Sequence, residues 1–164
     1  MIRPLTPNER RARLIALALP AALLAGAWVS QLIGHLYPCE MCHWQRWPHY
    51  AALPFAALAF VVPQRSIAKA FVILAALLIA VSGAIGVAHA GVEYHWWNGF
   101  TACTQTVDLR GLDGAARLEA LMKAPVVRCD TAQWTLAGIS LAGFNAILSL
   151  GGAFTILWLM RKSR

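Results

Sequence analysis

Four apolar segments, separated by short polar stretches, organise the chain. Three of them, at residues 14–36, 67–92 and 134–160, are long enough to cross a bilayer, which takes about 20 predominantly apolar residues. The fourth, at residues 47–62, reaches only about 24 Å as a helix. It must begin nearer His43, thin the bilayer or be buffered by its neighbours. The pattern predicts an all-α membrane protein built as a bundle of four transmembrane helices.

The composition agrees with this class of protein. Of the 164 residues, 59% are hydrophobic and only 13% are charged, whereas a soluble domain carries about 25% charged residues. The chain has no linker, repeat or low-complexity segment, so we expect one membrane domain over residues 1–164. Close approach of its helices is expected at four glycines, Gly83, Gly86, Gly138 and Gly143.

The charges predict how the helices are oriented. Nine basic residues lie at the two termini and around the connection at 63–66, where Glu9 is the only acidic residue. The opposite side has five basic and six acidic residues, so the net charge of +7 indicates positive-inside bias and not nucleic-acid binding. Both termini are therefore expected in the cytoplasm. The basic leader also suits a signal peptide cleaved near Ala27, but the apolar run continues past that site, which favours a membrane span.

Two loops are predicted on the outer side, and together they contain all four cysteines. The first, at 37–46, contains Cys39 and Cys42; the second, at 93–133, contains Cys103 and Cys129. Disulfides persist outside the cytoplasm. The residues between Cys103 and Cys129 suit either a short amphipathic helix lying on the lipid headgroups or a plain loop.

The Cys39-x-x-Cys42 pair is typical of redox-active thiols. A cysteine at a helix N-terminus has its thiolate stabilised by unpaired backbone N–H groups. Arg46 lies one turn beyond Cys42, where its guanidinium could pair with a thiolate or with a quinone oxygen. A headgroup phosphate is an equally good partner for an arginine at this depth.

Two other kinds of site fit the same residues. Cys39-Glu40-Met41-Cys42-His43 matches the c-type haem attachment pattern, in which His43 would ligate the iron of a small membrane-anchored cytochrome. This alternative leaves the second cysteine pair without a role. Four cysteines could also form a tetrahedral zinc site, but such a site does not need Arg46.

The second pair, Cys103 and Cys129, is separated by 25 residues. It is either a structural disulfide, stabilising by about 3–4 kcal/mol, or a mobile pair that exchanges with a soluble partner. The spacing does not choose between these two roles.

The complete pattern resembles the DsbB family of bacterial inner-membrane disulfide-generating proteins. The resemblance rests on four apolar segments, on the order of the two cysteine pairs, and on the string Pro38-Cys39-x-x-Cys42-x-x-Gln45-Arg46. It implies a quinone-dependent thiol:disulfide oxidoreductase of the inner membrane, with all four cysteines periplasmic. His89 resembles a histidine that the family places near the quinone, although the match needs a one-residue gap before Cys103.

The resemblance also implies a route for the electrons. A reduced thioredoxin-fold protein resembling DsbA would attack Cys103 of a Cys103–Cys129 disulfide. Cys129 would then attack Cys39 of the Cys39–Cys42 disulfide, and Cys42 would deliver two electrons to ubiquinone or menaquinone. Arg46 would hold the quinone. Thiol–disulfide exchange only moves disulfides between proteins, so making new ones needs such an electron acceptor.

Overall fold

The structure is a computed structural model that describes residues 5–99, 101, 113–122 and 127–162. Three of its helices are long and apolar enough to cross a membrane, namely α1, α3 and α5. This confirms a mainly helical membrane protein. The helix α2 packs between α1 and α3, and its predicted role as a fourth span stays a prediction. The elements in chain order are α1 (Pro7–Leu32), α2 (Glu40–Val61), α3 (Arg65–Glu93), α4 (Gly114–Met122), β1 (Thr135–Leu136), β2 (Ile139–Ser140) and α5 (Leu141–Arg161).

A capping box starts α1 and also ties it to α3. The Thr6 hydroxyl accepts a hydrogen bond from the Glu9 backbone N–H at 3.3 Å, and the Glu9 carboxylate accepts one from the Thr6 N–H at 2.9 Å. The same buried carboxylate forms ion pairs with Arg65 at 2.6 Å and Lys69 at 3.0 Å, both in the first turns of α3. Glu9 therefore connects the N-terminal ends of α1 and α3 through hydrogen bonds and ion pairs.

We expect Glu9→Gln to lower the free energy of unfolding by about 1–3 kcal/mol, because it removes the charge that Arg65 and Lys69 pair with. Thermal unfolding of the purified protein in detergent measures this. Arg65→Lys keeps the ion pair and should therefore lower the free energy of unfolding by a smaller amount. Equal unfolding midpoints for Glu9→Gln and the unchanged protein would mean that the cluster does not contribute to stability.

The helix α2 begins earlier than the apolar pattern predicts. It starts at Glu40, so residues 40–46, expected in the first outer loop, are helical. The reason is a sulfur cap: Cys39 has an extended backbone, and its Sγ accepts a hydrogen bond from the Cys42 N–H at 3.3 Å. With 22 residues, α2 is about 33 Å long. This length removes the shortfall expected for the second apolar segment.

Two other helix ends differ from the predicted spans. The helix α1 runs from Pro7 to Leu32 and does not reach residue 36, because His35 adopts a left-handed backbone with φ 54°. The helix α5 begins at Leu141 and not at 134. Residues 135–140 instead form the β1–β2 hairpin, in which Thr135 pairs with Ser140 and Leu136 with Ile139. Its turn needs a positive φ at Ala137 (51°) and Gly138 (79°).

The core of the bundle is built from small side chains, while many large ones lie outside. Fully buried alanines line the helix contacts, and Leu77 and Phe154 are half or more exposed. Such a pattern is typical of membrane helices. A Cβ on Gly83 would lie 2.8 Å from Leu150, and one on Gly86 would lie 3.0 Å from the Ala142 carbonyl oxygen, so these glycines let α3 approach α5.

Two of the four glycines expected at helix contacts lie elsewhere. Gly138 belongs to the hairpin turn, where it supports a positive φ. A Cβ on Gly143 would meet the Ile139 side chain at 2.9 Å, which places this glycine against the hairpin and not against another helix.

Candidate active site

Cys39 and Cys42 lie together at the N-terminal end of α2. Their sulfurs are 3.0 Å apart, and both cysteines are free thiols. Cys39 is buried, whereas Cys42 is partly exposed. The hydrogen bond between the two sulfurs raises the pKa of Cys39, and burial raises it further. Cys42, in the first turn of the helix, is therefore the sulfur better placed to carry a negative charge.

The His89 side chain lies directly beside the pair. Its Nε2 is 3.5 Å from Cys39 Sγ, and its Nδ1 is 2.7 Å from Gln45 Nε2. Glu93, one turn further along α3, lies 3.7 Å from His89 Nε2 and accepts a hydrogen bond from the Ser140 hydroxyl. A small cavity of about 50 Å³ opens at these groups. The sequence indicated His89, but it did not indicate its contact with Cys39.

Arg46 is buried and turned towards α1. One guanidinium nitrogen donates to Gln31 Oε1 at 2.7 Å and another to the Ala27 carbonyl at 3.2 Å. The guanidinium carbon lies 5.6 Å from the centre of the Trp28 ring. An arginine held this way, with 8% of its surface exposed, is poorly placed to reach a lipid phosphate.

A larger cavity of about 240 Å³ lies between α1, α2 and α5. Its apolar wall includes Leu23, Leu24 and Phe144. Its polar wall includes Ser30, Cys42, Gln45, Arg46, His49 and Asn145. Apolar walls with a few convergent polar groups are typical of sites for small organic ligands. An apolar ring with polar oxygens, such as a quinone headgroup, therefore suits this cavity.

The buried polar cluster behind this wall was not predicted from the sequence. Asn145 donates to Gln45 Oε1 at 2.8 Å and to Ser82 Oγ at 3.1 Å, and His49 Nε2 lies within 3.3 Å of three polar side chains. Placing a histidine and an asparagine inside apolar segments costs free energy, and such residues are commonly functional. The presence of these two polar residues in apolar segments was the feature of the sequence that could have indicated the cluster. The three side chains around His49 Nε2 are those of Ser82, Asn145 and Ser149.

The second cysteine pair is described only in part. Cys129 is fully buried, disulfide-bonded and packed in one cluster with Cys39, Met41 and Val92. The Cys129 backbone also lies close to the His89 ring. Cys103 lies outside the described residues, so its predicted bond to Cys129 stays a prediction. What the structure brings together is one cysteine of the second loop and the pair of the first.

The segment between Cys103 and Cys129 contains one described helix, α4. Its Leu118 and Met122 side chains are largely exposed, with 62% and 80% of their surface accessible. The predicted position of this helix on the lipid headgroups stays a prediction.

The haem and zinc alternatives can be compared with this geometry. His43 is exposed on α2, whereas Cys39 is buried against His89, so the sulfur and the imidazole of the haem pattern face different surroundings. A metal set does exist among the described residues. The ligating atoms of Cys39, Cys42 and His89 all lie within 4.8 Å of one another. This set differs from the four-cysteine site considered from the sequence.

Comparisons with known proteins place the chain in a family. A family model described as disulfide bond formation protein DsbB matches residues 9–159. A curated protein of Rickettsia prowazekii (strain Madrid E), described as uncharacterized protein RP370, is 22% identical over 138 residues, covering 84% of this chain and 79% of the relative. No solved structure matches the chain. The family match includes both cysteine-bearing segments and nearly all of the long helices.

Proposed function

Because the chain belongs to the DsbB family of disulfide bond formation proteins, we propose that it oxidises a periplasmic dithiol and passes the electrons to a membrane quinone. Disulfide bond formation in a membrane is the function of the family. The quinone and a thioredoxin-fold partner resembling DsbA are the specific parts of the proposal. The quinone would be ubiquinone or menaquinone.

One observation carries the proposal: Cys42 contacts Cys39 and also lines the larger cavity. Its sulfur lies 3.0 Å from Cys39, Cys39 packs in one cluster with Cys129, and Cys42 itself lines the cavity together with Arg46. Electrons that enter through the second loop would thus pass between sulfur atoms that lie close together. They would leave from Cys42 into the cavity.

The exchange steps balance as follows. The partner's dithiol reduces the Cys103–Cys129 disulfide and becomes a disulfide itself. Cys129 then attacks Cys39, which forms a Cys129–Cys39 mixed disulfide and releases Cys42 as a thiolate. Cys103 attacks Cys129 in turn, which rejoins Cys103 and Cys129, releases Cys39 and leaves the first pair reduced. Closing the Cys39–Cys42 disulfide releases two electrons and two protons, which a bound quinone accepts to become a hydroquinone.

The surrounding residues support these steps. Cys42 would hold the negative charge, since Cys39 has the raised pKa. His89 Nδ1 accepts from Gln45 Nε2, so the neutral ring has its hydrogen on Nε2, where it would donate to a Cys39 thiolate at 3.5 Å and stabilise it. Glu93 lies 3.7 Å from the same nitrogen. Arg46, oriented by Gln31 and Ala27, would hold a quinone oxygen and stabilise negative charge that develops there.

The location of the site supports the proposed orientation. Cys39, Glu93 and Ser140 meet at one end of the bundle, while Glu9 and Arg65 meet at the other. We propose that the cysteine end is periplasmic and that both termini are cytoplasmic, because the basic residues concentrate at the other end. A membrane-impermeant thiol reagent added to intact cells should then label reduced Cys42. Labelling only after the inner membrane is opened would contradict this orientation.

Cys103→Ser should abolish oxidation of the partner, because it removes the sulfur that the partner attacks. The measurement is the rate at which a reduced thioredoxin-fold protein is oxidised, taken alongside the thermal unfolding midpoint. A structural disulfide would give the opposite pattern. Partner oxidation would then continue while the unfolding midpoint fell.

The test of the proposed function is a quinone-reduction assay in detergent, with a reduced thioredoxin-fold protein as electron donor. The unchanged protein should reduce quinone through many turnovers. Each single Cys→Ser variant should fail at that, while Glu9→Gln, which alters the opposite end of the bundle, should remain active. A protein that oxidises the donor without reducing quinone would contradict the proposal.

A second candidate is a thiophilic metal site, and the cluster of Cys39, Cys42 and His89 favours it. Metal analysis of protein purified without chelator separates the two. Zinc at one atom per chain, retained through dialysis, would favour a metal site. Its absence together with quinone turnover favours the redox function.

A further inference from the structure

His49 is buried in α2 and has one ring nitrogen fully occupied and one without a partner. Its Nε2 lies 2.9 Å from Ser82 Oγ, 3.1 Å from Asn145 Oδ1 and 3.3 Å from Ser149 Oγ. Its Nδ1 is buried and has no hydrogen-bond partner among the described residues. Only 2% of the residue is exposed. A buried polar atom without a partner calls for an explanation.

The surrounding hydrogen bonds determine which nitrogen carries the proton. Asn145 uses its NH₂ group to donate to Gln45 Oε1 at 2.8 Å and to the Ser82 carbonyl at 3.2 Å. The atom facing His49 is therefore the amide oxygen, which only accepts. Neutral His49 consequently has its hydrogen on Nε2, and Nδ1 is left as an acceptor that lacks a donor.

This acceptor belongs to a residue of the larger cavity. Cys42, Gln45, Arg46 and His49 all line that cavity, and their spacing of three or four residues puts them on one face of α2. From Cys42 to His49 the helix rises about 10 Å. Arg46 offers only N–H donors to a ligand, and His49 offers an acceptor one turn further along.

We propose that His49 positions the reduced headgroup by accepting a hydrogen bond at Nδ1 from a hydroquinone hydroxyl. This inference rests on the proposed function and deepens it. An oxidised quinone has only acceptor oxygens and gains nothing from Nδ1, whereas Arg46 can donate to it. His49 thus favours the reduced form over the oxidised form. Preferential binding of the product draws electrons out of the Cys39–Cys42 dithiol.

Two substitutions at His49 test the roles of the two ring nitrogens separately. His49→Gln can place an N–H near the Nε2 position and keep the bond to Asn145, but it has no acceptor at the Nδ1 position. His49→Asn can place its oxygen near the Nδ1 position and loses the bond to Asn145. Ser149→Ala is the matched control, because Ser149 contacts His49 Nε2 and does not line the cavity.

Binding is measured without turnover, in a Cys42→Ser background that blocks the chemistry. Short-chain ubiquinol and ubiquinone are titrated separately, with quenching of tryptophan fluorescence as the readout. His49→Gln should weaken ubiquinol binding about tenfold, as for one lost hydrogen bond, and should leave ubiquinone binding within about twofold. His49→Asn should recover most of the ubiquinol affinity, and Ser149→Ala should match the parent.

The inference is overturned if His49→Gln binds ubiquinol like the parent, or if it loses both forms equally, as a merely structural residue would. A second measurement needs no substitution at His49. The ¹⁵N resonance of its Nδ1 should move on adding ubiquinol but not ubiquinone, and an unmoved resonance overturns the inference as well. If the parent binds neither form, the proposed function fails with it. If Arg46→Ala loses ubiquinone while His49→Gln loses nothing, only the inference fails.

Discussion

Replacing Cys42 by serine should lower quinone reduction by at least about three orders of magnitude, as expected when a nucleophile is removed. A serine hydroxyl is a poor nucleophile at neutral pH, and it cannot close a disulfide with Cys39. Stopped-flow absorbance of quinone with a reduced partner measures the rate.

The same variant should still react once with the partner, because the second loop keeps both of its cysteines. A single turnover of partner oxidation, followed by a halt, is therefore the expected result. Ser149→Ala, which changes a buried hydroxyl outside the cavity lining, controls for general damage and should turn over normally. Continued multiple turnover by Cys42→Ser would remove Cys42 from the electron route.

Replacing Arg46 by alanine should raise the quinone KM about 10- to 100-fold, the range expected for losing one hydrogen bond from a charged group. The guanidinium is buried and is oriented by Gln31 and Ala27. Its removal therefore takes away both a positive charge and a planar set of donors from the cavity wall. Steady-state kinetics over a range of quinone concentrations give the KM.

Arg46→Lys is the matched variant for this prediction. It keeps the positive charge but cannot reproduce two directed contacts to α1, so its KM should fall between those of the alanine variant and the unchanged protein. If Arg46 instead held a lipid phosphate, both variants would show unchanged quinone kinetics.

Much of this architecture follows from local features of the sequence. Apolar length alone predicts α3 closely, because its ends coincide with the change from apolar to charged residues at Arg65 and Glu93. The spacing of Cys39 and Cys42 predicts a redox-active pair, and the structure places this pair at the start of α2, where a loop was expected. Arg46, four residues beyond Cys42, then necessarily lies on the same face.

The remaining features do not follow from the apolar pattern. The start of α2 depends on a hydrogen bond to the Cys39 sulfur, and the hairpin before α5 depends on positive φ angles at Ala137 and Gly138. His49 and Asn145 are 96 positions apart and meet only when α2 packs near α5. The sequence shows that two polar residues lie in apolar segments, where their burial costs free energy. Only the packed bundle shows which residues they contact.

The most direct test of the central claim is an anaerobic titration that counts electrons at both ends of the route. Purified protein is mixed with a limiting amount of reduced thioredoxin-fold partner and an excess of quinone. The disulfides formed and the hydroquinone produced are then both quantified. The account predicts one hydroquinone for each new disulfide and none with Cys42→Ser. New disulfides without hydroquinone, or equal hydroquinone from the Cys42→Ser protein, would contradict it.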